Sequence, residues 1–367
     1  MTTVKQFLSW LNQKYPFGLQ ESYDNTGLLV GNYGWEIKGV LISLDITEEV
    51  VKEAIEKKCN VILAHHPLIF KGLKKITGQN YIEKSIITAI KNDIAIIASH
   101  TNTDSCIEGT NYLLATKLGL QNLKILKPQQ GKLKKIVTFV PDNYTEQVRK
   151  ALFEAGAGVI GNYDQTSFSV IGEGTFRGNE NTNPFVGEPN KLHTEKERRL
   201  ETIYPDYLHD KVINALLQAH PYEEVAYDIY TLENINPYKG MGIYGKLTQP
   251  STLEHILTQI KKHTKIPCLK YAGNKDLNKL INKIAICGGT CISALPDAKK
   301  AGVDIFITSD IKYHEFFDAG NNITLVDIGH YEAEYFVKET FFNSIKENFS
   351  NFATYLSETN TNPVNYF

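Results

Sequence analysis

The sequence predicts an α/β protein, with a main domain formed by both halves of the chain around an inserted ferredoxin-like α+β domain. Three observations predict it. Short apolar, β-rich runs alternate with amphipathic helices in the first third of the chain, the same alternation resumes after Lys283, and the stretch between follows a different element order.

From Gly39 to Thr47, GVLISLDIT reads as a strand. EEVVKEAIEKK after it has apolar residues at helical spacing, and NVILAHH returns to strand character, which completes a β-α-β unit. The helical YIEKSIITAIKND, the strand IAIIASH and the helical TNYLLATKLGL, ending near Gly119, continue the pattern. Strands this apolar are expected to be parallel and covered by helices on both faces. After Lys283, KIAICGG, ISALPDAKKAG, VDIFITSD, IKYHEFFDAG, NITLVDIGH and a helix from about Tyr331 repeat the alternation, so one α/β layer system split in sequence is expected.

Between the halves, KKIVTFVPD, YTEQVRKALFEAG, VIGNYDQTSFSVIGEGTFRG, ERRLETIYP, DYLHDKVINALLQAH and EEVAYDIYTLE give the order β-α-β-β-α-β of a ferredoxin-like domain, with one long hairpin. The main domain is accordingly placed at residues 1–130 and 237–367, and the insert at 131–236. GNENTNPFVGEPNKLH is rich in Asn, Gly and Pro and reads as a surface loop. The polar tail SETNTNPVNYF reads as frayed.

Composition narrows the function classes. With 367 residues, 42% of them hydrophobic and 22% charged, the chain has the makeup of a globular protein of two domains. A formal charge of −2 gives no general attraction for phosphate backbones, which disfavours nucleic-acid binding. The N-terminus MTTVKQFLSWLNQKYPFG lacks signal-peptide features, and no stretch approaches the roughly 18 apolar residues of a membrane span, so a cytoplasmic protein without membrane attachment is expected. Cys59, Cys106, Cys268, Cys287 and Cys291 are odd in number and form no C-x-x-C pair, and they read as free thiols.

Chemistry concentrates at strand ends, where an α/β chain turns toward its next helix and polar side chains point into a shared crevice. NVILA leads into His65 and His66, IAIIAS into His100 and Asp104, and ITLVDIG into His330 and Glu334. On a helix, His330 and Glu334 share a face. Adjacent His65 and His66 can both be ligands only where the strand has ended, and Pro67 favours that turn. A lone histidine in such a place is usually a turn or core residue, but five ligand-type groups at three strand ends are hard to explain that way.

Three imidazoles and two carboxylates exceed one closed tetrahedral shell and suit two divalent ions sharing a carboxylate, with Asp104 the first choice as bridge. Ligation by N and O without thiolate fits Zn²⁺, Mn²⁺, Fe²⁺, Co²⁺ or Ni²⁺. His100 is read as a proton carrier, a partner to a ligand, or a structural histidine. Gly288, Gly289 and Thr290, between a strand and a helix, are either an anion-binding turn or a plain tight turn. Asp310 and His314, four apart, either line the crevice or mark a solvated helix start. His220, Pro221, Tyr222, Glu223 and Glu224 form a polar turn, or a cover for the crevice of a neighbouring subunit.

The segments DNTGLLVG, HHPLIFKGLKK, HTNTD, CGGT, TSDIKYHE and DIGHYEAE together resemble the Nif-three-like family, often labelled GTP cyclohydrolase I type 2 homologues. GVIGNYDQTSFSVIGEGTF and AHPYEEVAYD resemble the insert of its longer bacterial branch. The resemblance implies a dinuclear metal site on His65, His66, Asp104, His330 and Glu334, two ions per subunit, a homohexamer with a central cavity, and an insert similar to PII and CutA-type domains capping that assembly. Two departures stand out. Gly288-Gly289-Thr290-Cys291 replaces a Gly-Gly-Ser-Gly turn, and Gly109 is followed by Thr110 where the family has paired glycines.

Paired ions suit hydrolysis. The first candidate is metal-assisted hydrolysis of a nucleotide or related heterocycle, with GTP ring opening suggested by the family label and His100 or His314 carrying the proton. A metal-dependent phosphoesterase is the second candidate. A non-enzymatic regulatory or adaptor hexamer, with the insert sensing a small molecule or partner, is the third.

Overall fold

The computed structural model describes residues 1–367, which divide into two compact units, 1–128 with 237–367 and 129–236. The first half of the larger unit runs α1 (Val4–Lys14), β1 (Gly27–Val30), β2 (Gly39–Ser43), α2 (Glu48–Glu56), β3 (Val61–Ala64), α3 (Tyr81–Lys91), β4 (Ala95–Ala98), α4 (Thr101–Asp104), α5 (Tyr112–Lys117) and β5 (Leu120–Gln129). The smaller unit comprises β6 (Leu133–Pro141), α6 (Thr145–Glu154), β7 (Phe168–Phe176), β8 (His193–Pro205), α7 (His209–Ala219) and β9 (Tyr227–Leu232). The chain returns through β10 (Asn236–Thr252), α8 (Leu253–Thr264), β11 (Lys270–Ala272), β12 (Leu280–Ile286), α9 (Leu295–Ala301), β13 (Ile305–Thr308), β14 (Thr324–Asp327), α10 (His330–Glu334), α11 (Val337–Asn348) and β15 (Ala353–Leu356).

Local chemistry accounts for the boundaries. Thr3 and Gln6 form a capping box at the start of α1, and the Thr47 side chain accepts from Val50 N–H at the start of α2, whose first turn carries Glu48 and Glu49. Strands β2, β3 and β4 are buried along their whole length, so Ile62, Leu63, Ile96 and Ile97 each contribute roughly 1.5–3 kcal/mol of apolar burial.

The larger unit holds two sheets, where one split layer system was expected. The first has the order β1-β4-β3-β2-β15, and the second β11-β14-β13-β12-β10-β5. In the first, β15, β2, β3 and β4 run parallel and β1 joins β4 antiparallel at one edge; in the second, a parallel core β12-β13-β14 is flanked by antiparallel β10 and β11. Periodicity marks a strand but not the ladder it joins, which is why the two halves looked like one system. In the smaller unit β6 pairs antiparallel with β8 and β9, and β7 with β8, giving the order β7-β8-β6-β9. Helices α6 and α7 pack through Val148, Leu152, Val212 and Leu216 on Ile136, Val140, Leu200 and Tyr204 of one sheet face.

Two expectations are corrected. The tail is anchored: the Glu53 carboxylate accepts from Ser357 Oγ, Glu358 N–H and both donors of Thr359, while Thr361 Oγ1 donates to Asp45 and Asn362 Nδ2 to Glu332. Polar anchoring of this kind leaves no hydrophobic period in the sequence. Cys287 and Cys291 are joined in a disulfide, because the intervening turn brings their Cα atoms to 5.8 Å, whereas Cys59, Cys106 and Cys268 are free. No helix is long and apolar enough to cross a membrane.

Candidate metal centre

The strand ends of both sheets in the larger unit supply one cluster. After β3, the His65 and His66 amides still reach the carbonyls of Ser43, the last residue of β2, and of Leu44 just beyond it, but the chain bends there and Pro67 has no N–H to continue the ladder. Both imidazoles can therefore face the same space. After β4, His100 caps α4, which carries Asp104 in its only turn. After β14, Gly329 starts α10 at φ +76°, a conformation suited to glycine, and a Cβ there would meet Glu332 Oε2 at 2.4 Å. Helix α10 then sets His330 and Glu334 one turn apart.

Glu334 lies at the centre. Its Oε2 is 2.8 Å from His66 Nε2, 3.1 Å from His330 Nε2 and 4.0 Å from His65 Nε2. Ring nitrogens of His65, His66 and His100 lie within 4.8 Å of one another, as do the ligand atoms of His66, His330 and Glu334. Asp104 Oδ1 is 3.6 Å from His65 Nε2 and accepts a 2.5 Å hydrogen bond from Thr110, one of the two places where the chain departs from the pattern it resembles. The oxygen shared among several imidazoles is therefore that of Glu334 rather than Asp104. His100, read from sequence as a proton carrier or accessory group, sits inside the cluster.

Each imidazole is oriented from behind. Nδ1 of His65 faces the Ser99 carbonyl at 3.0 Å, Nδ1 of His66 faces Asp45 at 2.7 Å, Nδ1 of His100 faces Asp24 at 2.8 Å, and Nδ1 of His330 faces Asp310 at 2.6 Å. With Nδ1 engaged, Nε2 is the nitrogen left for a ligand, the arrangement by which proteins orient metal-binding histidines. Asp24 and Asp45 escaped sequence reasoning. Asp45 follows β2 by two residues, so the strand-end rule that found the histidines points to it as well, whereas Asp24 carries no local signal.

Burial pushes His65 down to about 3 despite the nearby Glu334 charge. Burial opposes protonation of His66 too, but hydrogen bonds to Asp45 and Glu334 raise it to about 10. The hydrogen bond to Glu334 lifts His330 to about 9 against burial. Burial and the Glu334 charge raise Asp104 to about 7, while Glu334 itself, against its burial, is held well below the usual carboxylate range by His330 and His66. The carboxylates of Asp45, Asp310 and Glu334 thus favour positive charge at His66 and His330.

His65 Nε2 tests whether these residues fit a metal. It is fully buried and has no hydrogen-bond partner, yet it faces two carboxylate oxygens across 3.6 and 4.0 Å. An orphaned imidazole nitrogen beside carboxylates too distant to bond with it is the donor set and spacing a divalent cation uses. The residues present fit such an ion. They open on a cleft of about 790 Å³ lined by Phe70, Tyr331 and Tyr366, with Lys270 the cation on its wall.

Two further expectations do not hold in place. His314 lies exposed on a 3₁₀ turn beside the rings of Tyr313 and Phe317 and does not join the cluster, whereas Asp310 does line the crevice, as one reading of the sequence had it, adopting φ +57° and binding His330 and Thr290 instead of opening a helix. The Gly288–Thr290 turn is not presented to an anion. Gly288 N–H donates to Asn111 Oδ1, Thr290 Oγ1 donates to Asp310, and a Cβ on Gly289 would lie 2.4 Å from Glu334 Oε1. The protein's own carboxylate fills the space an anion would need.

The chain is similar to known proteins along nearly its whole length. Residues 2–363 match the family model described as Duf34/NIF3 (NGG1p interacting factor 3). A Staphylococcus epidermidis protein named GTP cyclohydrolase 1 type 2 homolog is 38% identical over 369 residues, covering 99% of each chain. A Bacillus subtilis protein of the same name is 38% identical over 368 residues, covering 99% of this chain and 98% of that one. The crystal structure of a Bacillus cereus protein related to NIF3 aligns with a TM-score of 0.81 at 39% identity, over 100% of this chain and 99% of that one.

Proposed function

The chain belongs to the Duf34/NIF3 family, and on that premise we propose that it binds two divalent ions per subunit and carries out metal-assisted hydrolysis of a nucleotide or related heterocycle, with GTP ring opening the first candidate. The observation that carries this is the set of four histidines, each fixed through Nδ1 to an oxygen acceptor, gathered beside Glu334 and Asp104. His65, His66, His330 and Glu334, with His100 and Asp104, would hold the ions, and ions there would supply Lewis acidity to a hydrolysis.

The chain's own groups do the rest. Asp24, Asp45 and Asp310 keep the imidazoles oriented. Phe70, Tyr331 and Tyr366 line the cleft with aromatic surface suited to a flat heterocycle. Lys270, the cation on the wall, is tied to Asp327 at 2.8 Å, and the Gly288–Thr290 turn offers no anion cradle. Recognition through the base is therefore better supported than an in-line phosphoester displacement.

Two finer features belong to the same reading. The β7-β8-β6-β9 order with both helices on one face supports a ferredoxin-like insert. A homohexamer rests on family resemblance, and light scattering tests it. The function is tested by loading the protein with Zn²⁺, Mn²⁺, Fe²⁺, Co²⁺ or Ni²⁺ and following formate and phosphate release from GTP, with Glu334→Ala as control. Formate release lost in the variant supports ring opening, phosphate without formate points to a phosphoesterase, and bound metal with neither product points to a regulatory assembly.

A further inference from the structure

The smaller unit has a cavity of its own, of about 760 Å³, on the sheet face opposite its helices. Its floor is Glu197 of β8, a carboxylate on a residue only 8% exposed. One oxygen, Oε1, accepts from Tyr222 Oη at 2.9 Å. The other lies over Gly174 of β7, where a Cβ would come within 2.1 Å of Oε2, so a side chain at Gly174 would displace the carboxylate from its present position. No lysine, arginine or histidine nitrogen reaches Glu197 within 4.0 Å, and the neighbouring Arg198 and Arg199 are engaged with Asp142 and Glu201. A buried carboxylate with one neutral donor and no cation is unusual, because burial of an ionised group without a counter-charge is costly.

Aromatic rings surround it. Phe176 and Phe185 stand 6.1 and 6.2 Å from the Tyr222 ring, and Phe139 completes the wall. Phe185 comes from the long hairpin loop, which is tied down where Asn183 N–H donates to Glu223 at 2.9 Å. Tyr222 is fixed in turn, its N–H donating to His220 Nδ1. The polar turn from His220 to Glu224 thus builds this cavity, and the loop forms its side. Around the cavity Glu173, Glu223 and Glu224 join Glu197, against Arg177 and the Glu201-paired Arg199. An anion would meet net negative charge here, and a neutral ligand would leave Glu197 unmatched.

We propose that this cavity is a binding site for a small primary amine in its ammonium form, with the charged head on Glu197 and the hydrocarbon or aromatic body against Phe176, Phe185 and Tyr222. Ammonium groups are attracted both to the carboxylate and to aromatic faces, and the apolar walls favour an organic cation over a hydrated metal ion. The site is separate from the histidine cluster and does not depend on the function proposed for it.

Benzylammonium is the probe, titrated calorimetrically into the full-length protein, with benzyl alcohol as its neutral counterpart. Saturable binding at one per chain is expected, with benzyl alcohol at least tenfold weaker. Glu197→Gln should weaken benzylammonium at least tenfold, and Phe176→Ala at least threefold. Tyr222→Phe, which releases the carboxylate but keeps the ring, should bind it no more weakly than the wild type. Equal affinity for the amine and the alcohol, an unchanged Kd in Glu197→Gln, or no saturation of the wild type at millimolar probe overturns the assignment. Should Glu197→Gln fail to fold, Phe176→Ala and the alcohol comparison decide it.

Discussion

Replacing Glu53 by Gln loosens the C-terminal tail that walls the metal cleft. Glu53, within α2, receives Ser357 Oγ at 2.6 Å, Glu358 N–H at 2.8 Å, Thr359 N–H at 3.2 Å and Thr359 Oγ1 at 2.6 Å. Burial alone would raise its carboxyl, but these hydrogen bonds hold it at about 2, against an ordinary 4.5. That difference corresponds to at most roughly 3 kcal/mol, and screening on the Lys57 side reduces it to about 2 kcal/mol. Because the folded carboxyl is the stronger acid, this stability is fully present above about pH 4.5 and disappears as the pH falls toward 2. Thermal melts of wild type and Glu53→Gln should differ by roughly 4–8 °C at pH 7, and the gap should narrow steadily below pH 4.5. A gap of the same size at pH 3 and pH 7, or none at either, refutes the anchoring role.

Two other outcomes follow from the same geometry. Asp45→Asn keeps the shape beside His66 Nδ1 but removes the charge, and it should weaken divalent-ion affinity roughly 10–100-fold in competition with a chromogenic chelator, with the fold intact by circular dichroism. Denatured without reductant, the chain should show three titratable thiols, from Cys59, Cys106 and Cys268, and five after reduction; five from the start would mean that Cys287 and Cys291 are not joined.

What the sequence disclosed depended on range. The α/β alternation is written in local periodicity, and so is the His330–Glu334 pair, because one helical turn places both groups. Pro67 discloses that His65 and His66 lie past the strand end. The partition into two sheets was hidden, since Val61 can pair with Val40 or with another strand without any change in its own pattern. Asp24 was missed for a related reason, lying 76 residues from His100, and Asp310, though expected near the crevice, could not be paired in advance with His330 across 20 residues. The tail looked frayed because polar bonds to Glu53 leave no apolar signature, and the disulfide went unread because a C-x-x-x-C spacing matches no common pairing motif.

We propose that His65, His66, His330 and Glu334, with His100 and Asp104, form a divalent-metal centre. The most direct test is metal content per chain by mass spectrometry after reconstitution and removal of unbound ions, for wild type, His65→Ala and Glu334→Ala. Two ions per wild-type chain, lost partly or wholly in each folded variant, is the predicted result. A wild-type chain that retains no ion, or variants that retain as much as the wild type, contradicts it.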